Sequence, residues 1–99
     1  MIRFSKENDR FWYSRPTYDF AGDVAWVIQR GNYGYMVYMV WRSDKPLKNS
    51  SSWNLQGSAD TLNEAKDLAR RLDADYDYQP INTADDHFKP YWLDLTDPY

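Results

Sequence analysis

The chain has no cysteine and only one histidine, His87, among its 99 residues. The absence of cysteine excludes a disulfide framework, a thiolate metal site and a cysteine nucleophile. A zinc or iron site would need further nitrogen or carboxylate ligands at helical or hairpin spacing, and no second histidine exists to supply one. His87 and its neighbours Asp85 and Asp86 are therefore predicted to belong to a polar loop.

Long apolar runs are also absent. No segment approaches the ~20 apolar residues of a membrane span, and the N-terminus lacks the apolar run of a secretory signal. We therefore expect a cytoplasmic protein with no membrane association. Leu, Ile, Val and Phe total only 18 residues, but the net charge is −3 and five Trp and nine Tyr add buriable area. The composition favours one folded domain over residues 1–99, with its core at about 10–78 and an acidic, aromatic C-terminal segment at 79–99.

The usual catalytic motifs are missing. The four glycines are dispersed, so the chain has no phosphate-binding glycine loop. Asp73, Asp75 and Asp77 have the spacing of the first three ligands of a calcium loop, but Tyr78 and Ala84 stand where that loop requires glycine and glutamate. The sequence predicts no metal, no cofactor and no enzymatic activity.

Two segments rich in β-branched and aromatic residues, 24–30 and 33–42, are separated by Gly31-Asn32. This pattern predicts a β-hairpin with a two-residue turn. The predicted pairs on its first face are Arg30 with Tyr33, Ile28 with Tyr35, Trp26 with Val37, and Val24 with Met39. Because this face is bulkier and more apolar, we expect it to form the core. The second face would carry Ala25, Val27, Gln29, Met36, Tyr38, Val40 and Arg42.

Residues 11–15 precede Pro16 and are predicted to form an edge strand, since proline cannot donate to a sheet. Residues 53–57 alternate and predict a further strand with Trp53 and Leu55 directed inward. We also expect Trp26 and Trp41 in the core. The apolar residues of the C-terminal segment are predicted to pack across the second face of the sheet.

A helix is predicted from Leu62 to about Ala74. Thr61 and Glu64 form a capping box, in which the threonine hydroxyl accepts from a helix N–H and the glutamate reaches back to the N–H of the capping residue. Apolar residues recur at helical spacing along one face. The expected fold class is α+β, with a small antiparallel sheet of three to five strands and one amphipathic helix packed on one face.

The order of three strands and a capped helix over about residues 24–74 resembles the small DNA-binding modules of plant AP2-type domains and of integrase arm-binding domains. In those families the sheet face opposite the helix reads DNA. The resemblance implies that the positions corresponding to the DNA-reading residues are Gln29, Tyr38, Arg42, Asn54 and Gln56.

Charge is distributed unevenly along the chain. Residues 1–57 carry 8 basic and 5 acidic side chains, whereas residues 58–99 carry 4 basic and 10 acidic ones. Nucleic-acid-binding proteins usually present a basic surface, because neutralised phosphates supply most of their non-specific affinity. The acidic balance therefore disfavours direct nucleic-acid binding.

Trp, Tyr, Arg and Met are the residue types enriched at protein interfaces, and the chain has 5, 9, 7 and 3 of them. We therefore expect a non-enzymatic protein that binds another protein, as a phage-type or accessory inhibitor with nucleic-acid-mimic character would. The alternative is a nucleic-acid-binding module that uses arginine and aromatic stacking on the sheet face. The expected partner is a basic or nucleic-acid-binding protein, and the chain itself is a monomer or homodimer. The predicted binding residues are Gln29, Tyr33, Met36, Tyr38, Arg42, Gln56, Asp73, Asp75, Asp77, Asp85 and Asp86.

Overall fold

The computed structural model describes residues 2–14, 24–42 and 51–75, together with Leu93 and Leu95. These residues form a five-stranded antiparallel sheet in the order β1-β2-β3-β4-β5 and one helix packed against it. The elements are β1 (Ser5–Lys6), β2 (Phe11–Ser14), β3 (Val24–Arg30), β4 (Tyr35–Arg42), β5 (Ser51–Ala59) and α1 (Leu62–Asp75). The predicted α+β class is confirmed, and so is the helix that begins at Leu62.

The hairpin between β3 and β4 has a longer turn than predicted. Arg30 pairs with Tyr35 and not with Tyr33, so four residues lie between the strands. The N–H of Gly31 donates to the carbonyl of Gly34 at 2.7 Å. Gly34 has a φ of 146°, and a Cβ there would lie 2.6 Å from the carbonyl oxygen of Ala59. Glycine is therefore required by both the backbone conformation and the space available.

The register error does not change which residues share a face. Trp26 pairs with Met39 instead of Val37, and Val24 pairs with Trp41 instead of Met39. The shift is two residues, and side chains on a strand alternate with a period of two, so each residue stays on its predicted face. The predicted assignment of residues to the two faces is therefore confirmed for this hairpin.

The first face of the sheet packs against α1. Trp26, Ile28 and Val37 are fully buried beneath Ala65 and Ala69 of the helix. The two alanines allow a close approach of the helix backbone to a sheet with large side chains. Trp41 is 43% exposed near the end of β4, so its expected place in the core is wrong. Trp41 pairs with Val24, the first residue of β3, so it lies at the end of this strand pair.

The helix begins with part of the predicted capping box. The N–H of Glu64 donates to the Thr61 hydroxyl oxygen at 3.2 Å. The Glu64 carboxylate, however, accepts from the same hydroxyl at 3.0 Å and, among the described residues, does not accept from the Thr61 N–H. The threonine therefore caps the helix as predicted, while the glutamate holds the threonine hydroxyl in place.

The second face of the sheet carries another apolar cluster. Phe11, Val27 and Val40 are buried there together with Leu93 and Leu95, whose exposed fractions are 2% and 5%. These two leucines belong to the C-terminal segment that was expected to cover this face. The sheet is thus enclosed by helix α1 on one side and, over β2 to β4, by two leucines on the other.

The two edges of the sheet differ in length. The strand at residues 11–14 was expected at an edge, but β1 pairs with it through Ser5–Tyr13 and Lys6–Trp12, so that expectation is wrong. The sequence of β1 is too short and polar to predict a strand by itself. The edges of the described sheet are therefore β1, with two residues, and β5, with nine.

Candidate functional site

Asp73, predicted to lie in an exposed acidic surface, is buried, with 7% of its surface exposed. Its Oδ1 accepts a hydrogen bond from the indole Nε1 of Trp26 at 3.1 Å. Ala65, Ala69 and Asp73 are the buried residues of α1 and are spaced four residues apart, so they share the helix face that contacts the sheet. Asp73 therefore acts as the hydrogen-bond acceptor for a core tryptophan and does not contribute to an acidic surface.

The other predicted acidic residues lie at or beyond the end of the helix. Asp75 is exposed at the last position of α1. Asp77, Asp85 and Asp86 lie outside the described residues. The idea of an acidic surface on the C-terminal half therefore stays a prediction, now without Asp73.

Gln29 is not on the surface either. Its exposed fraction is 4%, and it pairs with Phe11 of β2 and Met36 of β4. Its side-chain carbonyl Oε1 is buried and has no hydrogen-bond partner among the residues that the structure describes. Gln29 is predicted as a binding residue on the second face, but β2 and β4 flank this position and its side chain is buried.

The remaining predicted residues are spread along β4 and the hairpin turn that precedes it. Tyr33 projects from the hairpin turn with 98% of its surface exposed. Met36 and Tyr38 lie further along β4 on the second face, and the Tyr38 hydroxyl donates to the Met36 sulfur at 3.4 Å. Arg42 is exposed at the opposite end of β4, where it pairs with Ser51.

A β-bulge determines which residues of β5 join Tyr38. Val37 pairs with Gly57, but Tyr38 pairs with Leu55, so Gln56 is an extra residue on β5. The Gln56 side-chain amide donates to the Asn54 carbonyl at 3.3 Å and is only half-buried. Gln56 therefore lies in the bulge, with its side-chain amide bound to the backbone of its own strand.

Leu55 is the residue that sequence reasoning missed. It was predicted to point inward, but 60% of its surface is exposed. Its partner Tyr38 packs edge-to-face on Trp53 with ring centroids 5.2 Å apart, and Trp53 packs in the same way on Phe11 at 6.2 Å. Leu55 lies beside this aromatic group on the second face, at the side where the described sheet ends. The alternation of residues 53–57 indicates that Trp53 and Leu55 share a face. It does not indicate that this face is exposed to solvent at Leu55.

We call Met36, Tyr38, Trp53 and Leu55 the edge patch. Three of its side chains are half-buried and Leu55 is exposed, so the patch combines fixed aromatic groups with an accessible aliphatic one. Such a surface can bury apolar area against a partner without first ordering its own side chains. The patch presents apolar area together with one phenol hydroxyl, which Tyr38 donates to the Met36 sulfur.

The positions that the DNA-binding resemblance implies are not brought together on one open face. Gln29 is buried, and Asn54 pairs with Met39, whose side chain belongs to the core under the helix. Asn54 therefore lies on the helix side, because directly paired residues share a face. Arg42 lies at the far end of β4. The bulge and the two leucines on the second face are the physical reasons for this difference from the implied interface.

Two clefts flank the end of β5. One, of about 350 Å³, lies between residues 58–60 and α1, where Glu64, Asp67, Leu68 and Arg71 line it. The other, of about 360 Å³, lies between the same residues 58–60 and the hairpin turn, with Tyr33 and Met36 in its lining. The end of β5 therefore lies between the two clefts. The second cleft places Tyr33 and Met36, a member of the edge patch, next to residues 58–60.

Other site types find no support in the described part of the chain. Within residues 2–14, 24–42 and 51–75, no three His, Cys, Asp or Glu side chains are grouped so that they could hold a metal ion. Helix α1 is neither long nor apolar enough to cross a membrane. Comparison with family models, curated proteins and solved structures finds no match to this chain.

Proposed function

We propose that this protein is a non-enzymatic binding protein that acts through contact with another protein, and that the edge patch is the centre of the contact surface. The observation that carries the proposal is the 60% exposure of Leu55 beside Tyr38 and Trp53. An exposed leucine alone needs no explanation, but one that extends an aromatic group at the side of a sheet makes a continuous apolar surface.

The arrangement is suited to binding because the aromatic side chains are already held. Tyr38 contacts Trp53 edge-to-face and donates to the Met36 sulfur. Ordering a rotamer-rich side chain on association costs ~0.5–1.5 kcal/mol, so groups fixed in the free protein retain more of their contact energy. Full burial of one leucine contributes ~1.5–3 kcal/mol, which makes Leu55 a candidate hot spot.

Tyr33 extends the proposed surface toward the hairpin turn. It is 98% exposed, while the turn beneath it is closed by the hydrogen bond from the Gly31 N–H to the Gly34 carbonyl. A tyrosine supplies large contact area with few rotatable bonds, and a closed turn limits its movement. Tyr33 is therefore proposed as a peripheral contact, with Leu55 as the central one.

The partner we propose is a protein with a basic surface. The chain carries a net charge of −3, and its residues 58–99 carry 10 acidic against 4 basic side chains. Opposite charge steers encounter and increases the association rate. A protein of this kind would act by covering a functional surface of its partner, which is the mode of action of an inhibitor or accessory factor.

Affinity capture with single-residue variants tests this function. Tagged full-length chain is used as bait in lysate of the cells that produce it, with and without nuclease treatment, and captured proteins are identified by mass spectrometry. The variant Leu55→Asp places a charge in the edge patch. Its matched control is Asn54→Asp, which adds the same charge at the adjacent exposed position on the opposite face.

We expect the wild-type chain and Asn54→Asp to retain the same partner protein and Leu55→Asp to lose it. Circular dichroism must show equal helix and sheet content for all three. Capture that persists with Leu55→Asp contradicts the proposed surface. Capture that disappears on nuclease treatment of the lysate contradicts protein contact itself and supports nucleic-acid binding.

A further inference from the structure

The cleft between the hairpin turn and residues 58–60, which we call the turn cleft, has the size of a site for one long side chain. Its volume is about 360 Å³, and residues 31–36 and 58–60 line it. Ligand sites usually occupy ~300–1,000 Å³. The turn cleft therefore lies at the small end of that range.

The close approach of two backbone segments determines where the turn cleft forms. A Cβ added to Gly34 would lie 2.6 Å from the carbonyl oxygen of Ala59 and 3.8 Å from the Cα of Asp60, so the turn lies directly against residues 59 and 60. The turn is closed by the hydrogen bond from the Gly31 N–H to the Gly34 carbonyl at 2.7 Å. Tyr33 and Asp60, which are far apart in the sequence, therefore line the same cleft.

The lining combines aromatic rings, a thioether and a carboxylate. Tyr33, Tyr35 and Met36 contribute the first two, and Asp60 is the one charged side chain among the described residues that line the turn cleft. Tyr35 packs edge-to-face on Trp12 with ring centroids 5.7 Å apart, whereas Tyr33 is 98% exposed. A phenol ring attracts a cation through its quadrupole, and a carboxylate attracts it through its charge. The lining therefore favours an organic cation over a neutral apolar group or an anion.

The carboxylate of Asp60 is available to such a cation. Asp60 is exposed and, within the part of the chain that the structure describes, has neither a hydrogen bond nor an ion pair. Arg30 pairs with Tyr35, and Arg71 lines the cleft on the helix side together with Asp60, but neither arginine lines the turn cleft. The charge in the lining of the turn cleft is therefore negative.

On these grounds we infer that the turn cleft receives a basic side chain, lysine or arginine, of the partner protein. Its ammonium or guanidinium group would lie between the Asp60 carboxylate and the Tyr33 ring, and its aliphatic stem would contact Met36. Met36 is also a member of the edge patch, so the turn cleft adjoins the proposed contact surface. The inference rests on the proposed function and adds to it a contact that selects for a basic partner.

A side chain of the partner is a better occupant than a free organic cation. Tyr33 and Asp60 are both exposed, and an exposed cation–π contact or ion pair changes affinity by only roughly two- to fivefold. A free cation would gain little from contacts of this strength. A side chain of a partner already held by the edge patch binds at a high effective concentration, so the same contacts then add to the affinity of the whole complex.

Side-chain analogues test the turn cleft without an identified partner. The probes are the Nα-acetyl methylamides of lysine, arginine and norleucine, and norleucine has the lysine stem without its ammonium group. Each probe is titrated at equal ionic strength into the full-length ¹⁵N-labelled chain, and the amide chemical shifts of residues 31–36 and 58–60 are followed. The variants are Asp60→Asn and Tyr33→Leu. Their matched control is Asp75→Asn, which removes one charge at the exposed end of α1.

We expect the lysine and arginine probes to bind the wild-type chain about fivefold or more tightly than the norleucine probe. Asp60→Asn should reduce this preference roughly two- to fivefold, because it removes the charge of the carboxylate. Tyr33→Leu should reduce it by a similar factor through loss of the ring, and Asp75→Asn should leave it unchanged. Wild-type amide shifts at residues 24–30 verify that each variant is folded.

Two kinds of result would overturn the inference. One is the absence of shift changes with the lysine probe, or equal binding of the lysine and norleucine probes, which would mean that the cleft does not select a cation. The other is a preference that Asp60→Asn and Tyr33→Leu leave unchanged, or that Asp75→Asn reduces equally, which would assign it to overall charge. Neither result bears on loss of the captured partner with Leu55→Asp, so the inference and the proposed function fail separately.

Discussion

Replacement of Asp73 by leucine would remove the acceptor of the buried Trp26 indole. Trp26 is fully buried and Asp73 is 7% exposed, and the Nε1–Oδ1 distance is 3.1 Å. Water cannot easily replace the carboxylate at this depth. Leucine has the same number of side-chain heavy atoms and the same branch point as aspartate, so Asp73→Leu removes the acceptor oxygens without leaving a cavity.

The expected loss of stability follows from the Trp26–Asp73 hydrogen bond and from its burial. A buried donor left without its partner costs ~1–3 kcal/mol, and we expect Asp73→Leu to lower the free energy of unfolding by about 2 kcal/mol. For a domain of this size that corresponds to a fall in Tm of roughly 8–16 °C. Asp73→Asn keeps an acceptor oxygen and exchanges a charge-assisted bond for a neutral one, so its cost should stay below about 1 kcal/mol.

Urea unfolding followed by tryptophan fluorescence and by circular dichroism measures these differences. Asp75→Leu is the matched control, because it makes the same substitution at an exposed position two residues further along the helix. Its effect should lie within about 0.5 kcal/mol of zero. If Asp73→Leu unfolds at the same urea concentration as Asp75→Leu, the buried hydrogen bond contributes nothing to stability and the reasoning is wrong.

Four further substitutions test other parts of the fold. Thr61→Ala should lower the free energy of unfolding by ~1 kcal/mol because a helix N–H loses its acceptor, and an unchanged urea midpoint would contradict this cap. Gly34→Ala should cost more than about 1 kcal/mol, since its φ of 146° and the nearby carbonyl both exclude a Cβ; wild-type thermal stability would refute the turn geometry. Leu95→Ala should cost about 2–4 kcal/mol in chemical denaturation by leaving a cavity on the second face, and a neutral result would place this leucine outside the core. Lys6→Ala should raise the pKa of Asp9 in an NMR titration, because the hydrogen bond from Lys6 and its charge lower that pKa. Because the pKa of Asp9 is lowered in the folded state, the pair stabilises the folded state at pH values above the ordinary carboxyl pKa. This contribution is lost as the pH falls through the pKa of the folded state.

The features that depend on local pattern could be predicted from the sequence. Residues 24–42 alternate with the period of a strand, so the two faces of the hairpin were correct although the register was wrong by two residues. The error came from the turn. Gly31-Asn32 matches a two-residue turn, but the structure uses Gly34, further along, to adopt the positive φ.

The features that depend on distant partners could not be predicted in the same way. Asp73 is charged, which suggested exposure, yet its acceptor role is set by Trp26, which lies 47 residues away in the sequence. Leu55 lies on an alternating strand, but its exposure depends on the bulge at Gln56 and on the position of β5 at the end of the sheet. The spacing of Ala65, Ala69 and Asp73 was the one local indication that Asp73 faces inward.

The rate of dissociation from the captured partner tests most directly whether the edge patch holds that partner. Leu55→Ala removes the exposed side chain without adding charge, and surface plasmon resonance with purified full-length proteins measures both rate constants. A hot-spot loss of about 2 kcal/mol corresponds to a change of about 30-fold in affinity, and desolvated contacts act mainly on dissociation. We therefore predict dissociation about 30-fold faster, with association within about threefold of wild type. Wild-type dissociation of Leu55→Ala would contradict the proposed contact surface.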